Sequence, residues 1–102
     1  MKAWQIVSDG GVDALKLADV APGAPGPGEV RVRMRANSIN FRDLGTIRDP
    51  VARKLPYPRI PNSDGAGEIV AVGAGVTSFK PGDRVFGLSP DAYGAHAEFL
   101  CV

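Results

Sequence analysis

Cysteine and histidine are almost absent from this sequence, which has one of each among its 102 residues. A zinc site needs three or four cysteine, histidine or carboxylate ligands that converge on one point. His96 and Cys101 lie five positions apart in a predicted strand, so their side chains project to opposite faces. We therefore expect no bound metal ion and no internal disulfide.

Excess charge and long apolar runs are also missing. Lys and Arg total 12 against 11 acidic residues, a formal net charge of +1, which gives no general attraction to nucleic acid or anionic lipid. No uncharged apolar run approaches the roughly 20 residues of a membrane span. The apolar stretch at the start of the chain is too short for a signal peptide. We expect a cytoplasmic protein with no nucleic-acid partner and no membrane partner.

Glycine and proline, by contrast, are abundant. The chain has 13 glycines and 9 prolines, yet 44% of its residues are hydrophobic, which indicates tight turns between short strands rather than disorder. A chain of this length forms one domain with a core of its own. About six or seven short strands, one or two short helices and no alternating strand-helix units predict a mainly β fold, a barrel or a sandwich.

The strands are predicted from alternating apolar residues and the turns between them. They cover 2–7, 14–20, 29–37, 68–72, 84–88 and 95–102, with the first two forming a hairpin and a turn over 89–94. In the third strand, one face carries Val30, Val32, Met34 and Ala36 toward the core. The opposite face carries Arg31, Arg33 and Arg35. No aromatic platform accompanies this arginine stripe in the sequence, so we interpret it as a solvated strand face rather than a site for single-stranded RNA.

A short helix is predicted over 40–49. Asn40 can cap its N-terminus, and Asp43 can accept a hydrogen bond from the cap's own amide. The proline-rich segments 21–29 and 50–61 on either side are predicted to be connecting loops.

Two Gly-Ala-Gly steps, at 65–67 and 73–75, invite comparison with phosphate-binding loops. A dinucleotide fingerprint needs G-x-G-x-x-G between a strand and a helix. Here the sixth positions are Val70 and Ser78, and a strand follows the first step. We therefore predict that these glycines lie at bends or bulges of a curved sheet.

The stretch "PNSDGAGEIVAVGAGVTSFKPGDRVFG" resembles P-G-x-E-G-A-G-x-V-x-x-V-G-x-x-V-x-x-F-x-x-G-D-x-V of the medium-chain dehydrogenase/reductase superfamily. The resemblance extends to "MKAW", "PGPGEVRVRMRANSINFRDL" and "GAHAEFLCV". It implies that residues 1–102 form a GroES-like, partly open β-barrel, one wall of an active-site cleft. The other wall, a nucleotide-binding Rossmann domain, is absent from this chain.

The resemblance also bears on zinc. Zinc alcohol dehydrogenases of this superfamily have a Cys-x-x-Asp motif that reads "NFRD" here, with Asn40 at the cysteine, and a His-Glu pair that falls on Ser63 and Asp64. These replacements point to the zinc-independent branch of quinone oxidoreductase-like enzymes and enone reductases. That branch implies hydride transfer from NADPH or NADH to a small-molecule quinone or conjugated enone.

Six residues are candidates for the site implied by this resemblance. Asn40 and Asp43 are the catalytic candidates, and Arg42, Tyr57, Ser63 and Asp64 are the candidates for the substrate or cofactor cleft. Each has a structural alternative. Asn40 and Asp43 can act as a helix cap, Asp64 as a turn residue, Arg42 as a solvated side chain and Tyr57 as a residue packed on its loop.

Two functions of different classes remain open. The chain is either an incomplete oxidoreductase, inactive without the missing domain, or a standalone GroES-like module for binding or oligomerisation. In both cases the barrel face or an edge strand left open favours self-association.

Overall fold

The computed structural model describes residues 1–88, 94–95 and 97–102, with the side chain of Leu88 excluded. The strands are β1 (Lys2–Ile6), β2 (Leu15–Asp19), β3 (Val30–Ser38), β4 (Asp64–Val72), β5 (Arg84–Leu88) and β6 (Phe99–Cys101). A 3-10 turn (Gly11–Ala14) and helix α1 (Phe41–Arg48) complete the elements. His96 and residues 89–93 of the predicted turn lie outside the described residues. No helix within the described ranges is long and apolar enough to cross a membrane.

The predicted hairpin is confirmed. Strands β1 and β2 pair antiparallel, from Lys2 opposite Asp19 to Ile6 opposite Leu15. Ala3 and Ile6 are each only 1% exposed, so β1 supplies the buried side of this small sheet. The 3-10 turn lies in the connection, where the sequence predicted a turn.

The larger sheet has the order β5-β4-β3-β6, with all neighbours antiparallel. Its core is built on Val30, Val32 and Ile69, and four partly buried side chains pack against it: Met34, Val76, Val85 and Val102. Apolar burial is the main stabilising contribution in such a domain. The sheet is open, since β5 and β6 form its edges.

The inward face predicted for β3 is confirmed at Val30 and Val32 and is wrong at Ala36, which is exposed. Met34 pairs with Gly67 and Ala36 pairs with Ala66, so the register shifts between them. One extra residue in a bulge reverses the alternation of side chains beyond it. The bulge lies opposite the first Gly-Ala-Gly step, in agreement with the predicted role of those glycines.

Strand β4 begins at Asp64, earlier than the predicted start at Glu68, and therefore contains the first Gly-Ala-Gly step. A Cβ atom on Gly67 would overlap the carbonyl oxygen of Arg33 on β3. A Cβ on Gly73 would likewise overlap the carbonyl oxygen of Gly26. The glycines thus allow backbones to approach closely, and the first step extends the strand instead of ending it.

The last strand is shorter than predicted because the chain changes partners along it. Ala97 bridges Ala3 of β1, whereas Glu98 donates its N–H to Lys2 O (3.1 Å) and accepts from Met34 N (2.8 Å). Only Phe99–Cys101 then pairs regularly with β3. This crossing joins the two sheets into the mainly β, partly closed architecture.

The arginine stripe has an aromatic neighbour, contrary to the expectation from the sequence. Strand β6 places the Phe99 ring centroid 5.0 Å from Arg31 Cζ and 5.6 Å from Arg33 Cζ. Arg35 pairs with Glu68 at 2.7 Å. The expectation failed because the ring comes from a strand distant in sequence. Because the two guanidinium groups already contact the Phe99 ring, the ring is not a free stacking platform for a base.

Candidate functional site

The N-terminus of α1 positions Asn40 and Asp43. Asp43 Oδ2 accepts the Asn40 N–H at 2.8 Å, and the Asp43 N–H donates to the Asn40 carbonyl at 3.0 Å. The two residues form the predicted capping box. Asp43 is 5% exposed, so its carboxylate faces the interior of the protein. Its contacts are those of a residue that fixes the start of the helix.

The Asn40 side chain links α1 to β4. Its Nδ2 donates to Asp64 Oδ2 at 2.7 Å and makes a longer contact of 3.4 Å with the Ser38 carbonyl. Asn40 and Asp64 are both half-buried. The fold therefore brings together two candidate residues from distant parts of the sequence, and both retain exposed surface.

Ser63 stabilises the contact between Asn40 and Asp64 through a hydrogen bond to Asp64. It is 2% exposed, and its Oγ donates to Asp64 Oδ1 at 3.2 Å. Each oxygen of the Asp64 carboxylate thus accepts a side-chain hydrogen bond. Asp64 is the first residue of β4, paired with Ser38 and Leu88, so the interpretation of Asp64 as a turn residue is wrong.

Asn62 is the residue that the sequence analysis missed. It is 3% exposed, and its Nδ2 donates to the Ser38 carbonyl (2.7 Å) and to Asp43 Oδ2 (3.0 Å). Its φ of 76° lies in the left-handed region. The sequence did contain a signal for this conformation, because Asn62 stands at the position of glycine in the P-G-x-E motif. Asparagine tolerates the left-handed region better than other non-glycine residues.

The remaining two candidates lie on helix α1 and on the loop 50–61. Arg42 is half-buried on α1, and its carbonyl accepts from Thr46 Oγ1 at 2.9 Å. Tyr57, on the loop 50–61, is 43% exposed. Within the described part of the chain, Tyr57 makes no hydrogen bond to Asn40 or Asp64.

The Asp64 end of the cluster borders an open depression of about 490 Å³. Polar residues line one end and apolar or small residues line the rest. Its lining includes Ser38, Asp64, Ala36, Ala66, Phe86 and Gly87. Such a volume lies within the range that small-molecule ligands occupy in proteins.

Among the described residues, no group of side chains fits zinc and the first Gly-Ala-Gly step does not fit a dinucleotide phosphate. No three His, Cys, Asp or Glu side chains come together in a metal-binding group among the residues that are described. Asn40 and Ser63, at the positions of the cysteine and the histidine, offer an amide and a hydroxyl, and both side chains donate hydrogen bonds to the Asp64 carboxylate. The first Gly-Ala-Gly step lies inside β4, so it does not form a phosphate-binding turn before a helix.

The fold and the sequence now define the class of protein. The family described as alcohol dehydrogenase GroES-like domain matches residues 26–102. The chain belongs to this family, within the medium-chain dehydrogenase/reductase superfamily.

Individual relatives indicate the quinone oxidoreductase-like branch. The chain is 43% identical over 100 residues to a quinone oxidoreductase of Pseudomonas aeruginosa, covering 95% of this chain and 29% of the relative. It is 45% identical over 82 residues to the human synaptic vesicle membrane protein VAT-1 homolog, covering 78% and 21%. The Escherichia coli quinone oxidoreductase complexed with NADPH superimposes with a TM-score of 0.89 at 27% identity, covering 100% and 31%. The chain therefore spans less than a third of each of these proteins.

Proposed function

We propose that this chain is the substrate-side part of an NAD(P)H-dependent oxidoreductase that reduces a quinone or conjugated enone without zinc. The observation that carries the proposal is the contact of 2.7 Å between Asn40 Nδ2 and Asp64 Oδ2. The Asn40 amide stands where the zinc enzymes have a cysteine ligand, and it is bonded to Asp64, which aligns with the glutamate of their His-Glu pair. The similarity to quinone oxidoreductases supports the choice of acceptor.

The chemistry assigned to these residues is hydrogen bonding to the substrate. A quinone or enone oxygen gains negative charge as it is reduced, and a preorganised donor stabilises that charge. The second N–H of Asn40 makes only the 3.4 Å contact with Ser38 O, so it is the donor most available to a substrate oxygen. Asp64 and Ser63 hold the amide in orientation.

The hydride source in this proposal is NADPH or NADH, as the NADPH complex of the E. coli neighbour suggests. The described residues offer no cradle for the dinucleotide phosphates, so the coenzyme is assigned mainly to a Rossmann domain outside this chain. In this proposal Asn40, Ser63 and Asp64 act on the substrate and not on the coenzyme. The chain alone is expected to show no turnover.

A hybrid enzyme tests the proposal. The matching segment of the P. aeruginosa quinone oxidoreductase is replaced by this chain, and NADPH oxidation is followed with a quinone and with a simple ketone. We expect turnover with the quinone, little with the ketone, and no loss after treatment with a zinc chelator. A properly folded hybrid that needs added zinc, or that prefers the ketone, would contradict the proposal.

The alternative is a binding or oligomerisation module without catalysis. Exposed apolar side chains favour it, since Ile39, Phe41 and Phe86 are 71%, 87% and 90% exposed. A hybrid that folds and binds coenzyme but reduces no quinone would support this alternative.

A further inference from the structure

The Ser38 carbonyl receives hydrogen bonds from two asparagine side chains. Asn62 Nδ2 lies 2.7 Å from Ser38 O, whereas Asn40 Nδ2 lies 3.4 Å from the same oxygen. The first distance is typical of a strong N–H···O bond, and the second exceeds the usual range. Asn62 is therefore the main side-chain donor to this carbonyl, and one N–H of Asn40 is left only weakly bonded.

Asn62 also fixes the backbone that carries Asn40. Its Nδ2 lies 3.0 Å from Asp43 Oδ2, the oxygen that accepts the backbone N–H of Asn40 at 2.8 Å. A side-chain amide has two N–H donors, so those of Asn62 go to two acceptors that Asn40 also contacts. Because Asn62 is 3% exposed, water competes little for these bonds.

The backbone at position 62 does not by itself require asparagine. Its φ of 76° is a conformation that glycine adopts at no steric cost, and glycine stands there in the P-G-x-E motif. Glycine would keep the turn but would donate neither hydrogen bond. The asparagine side chain is therefore distinguished by the two groups to which it donates, and Asn40 contacts both of them.

The other N–H of Asn40 is already committed. It donates to Asp64 Oδ2 at 2.7 Å, which limits rotation of the planar amide. The weakly bonded N–H then has two possible partners, the Ser38 carbonyl and a substrate oxygen. A carbonyl inside a protein that loses its donor is unfavourable unless another donor takes its place. Without Asn62, the amide of Asn40 would therefore bond more tightly to Ser38 O.

We propose that Asn62 is a positioning residue that keeps this N–H of Asn40 available to the oxygen of the quinone or enone. This inference rests on the proposed function and adds to it a residue that acts through Asn40 and not on the substrate itself. With Ser38 O occupied by Asn62, the Asn40 donor is fixed in place before the substrate arrives. A donor that is already oriented stabilises the charge that develops on the substrate oxygen without reorganisation.

NMR spectra of this chain test the positioning without substrate. Asn62→Gly keeps the backbone angle and removes the two donated bonds. The Asn40 side-chain proton that faces Ser38 should then move to lower field, because a shorter hydrogen bond deshields the proton. Val30→Ala is the control for lost stability, since it truncates a core side chain at the opposite end of β3 from Ser38. In this control the Asn40 side-chain signals should stay in place.

Kinetics of the hybrid enzyme, at a temperature where every variant is folded, test the consequence for quinone reduction. Asn62→Gly should lower kcat by about three- to tenfold and change KM by less than about twofold, because the donor acts mainly on charge in the transition state. In an Asn40→Ala background, the same substitution should change kcat by less than about 1.5-fold. Val30→Ala should leave kcat unchanged in both backgrounds.

The outcomes separate the positioning role from the proposed function. A residue that acts only by stabilising the fold would lower kcat by the same factor in both backgrounds. Such an equal factor, including no change in either, overturns the positioning role, and so does an Asn40 proton that does not move in Asn62→Gly. Asn40 would in that case remain the proposed donor. If Asn40→Ala itself leaves kcat unchanged, the proposed function falls and this inference falls with it.

Discussion

Asn62 ties the start of β4 to the start of α1. Its Nδ2 shares Asp43 Oδ2 with the Asn40 N–H, so one buried carboxylate oxygen holds two segments together. Its Oδ1 is buried and has no hydrogen-bond partner within the described structure. Burying an unpaired acceptor in a left-handed residue is costly, and the two donated hydrogen bonds are what offset that cost.

Substitution of Asn62 should separate hydrogen bonding from backbone conformation. Asn62→Gly loses both donated bonds but tolerates the φ of 76°, and should lower the free energy of unfolding by about 1–3 kcal/mol. Asn62→Ala adds backbone strain and should lower the free energy of unfolding by about 1 kcal/mol more than Asn62→Gly does. Urea unfolding measures both.

Lys54 provides the matched control, because it has a φ of 52° and an exposed side chain. Lys54→Gly should leave stability unchanged or raise it. Equal stability of the Asn62→Gly and Asn62→Ala variants would show that the backbone at this position is not strained.

Cys101 gives a prediction for pH. Burial raises the pKa of its thiol, the positive charge of Arg31 partly opposes this rise, and Glu29 adds to it. Since the folded state holds the proton to higher pH than the unfolded state, stability should fall as the pH rises past the unfolded thiol pKa, about 8.5. The pH midpoint of thiol modification should be higher in the native chain than in urea.

Arg31→Gln should move the native midpoint of Cys101 higher still. Arg33→Gln is the matched control, since Arg33 contacts the same Phe99 ring but is not among the causes of the shift. An equal effect of the two substitutions would contradict the assignment to Arg31.

Local patterns predicted the helix cap but not its surroundings. Asn40 and Asp43 lie within one helical turn, so their spacing alone indicates a capping box. The bonds from Asn62 and Asp64 to these residues join positions more than 18 apart in sequence. No local pattern encodes such contacts, and Asp64 was therefore assigned to the site only through resemblance.

Among the elements, β4 shows most clearly what the glycines do. The strand passes so close to β3 that Gly67 has no room for a side chain. The pattern of apolar residues located the second half of β4, 68–72, and its end correctly, but it placed the start of the strand after the first Gly-Ala-Gly step, because glycine usually weakens a strand. The glycines predicted a bend or bulge, but the alternation within β3 could not place it between Met34 and Ala36, because a bulge depends on the partner strand.

Gly67→Ala should destabilise the chain by about 1–3 kcal/mol, because its Cβ would force β3 and β4 apart. Gly23→Ala is the matched control, since its Cβ would meet only Cys101 Sγ, at 4.0 Å. The control should lie within about 0.5 kcal/mol of the unmodified chain. Thermal or urea unfolding that ranks Gly67→Ala equal to the control would exclude the close-approach explanation.

For the whole molecule, the exposed apolar surface predicts self-association. Ile39 and Phe41 flank Asn40 and are among the most exposed large hydrophobic residues. Sedimentation velocity over a wide concentration range should show reversible association, reduced by Ile39→Ser with Phe41→Ser. Leu17→Ser is the control. A monomer at every concentration would contradict the prediction.

The central claim is that Asn40, oriented by Asp64, takes over at the substrate the place that a metal ligand has in the zinc enzymes. The most direct test is kcat/KM for quinone reduction by the hybrid enzyme carrying Asn40→Ala, with Asp49→Ala as a control at an exposed capping residue. We predict a fall of at least about tenfold for Asn40→Ala, with unchanged coenzyme binding, and no change for Asp49→Ala. Equal kcat/KM for Asn40→Ala and the unmodified hybrid would contradict the account.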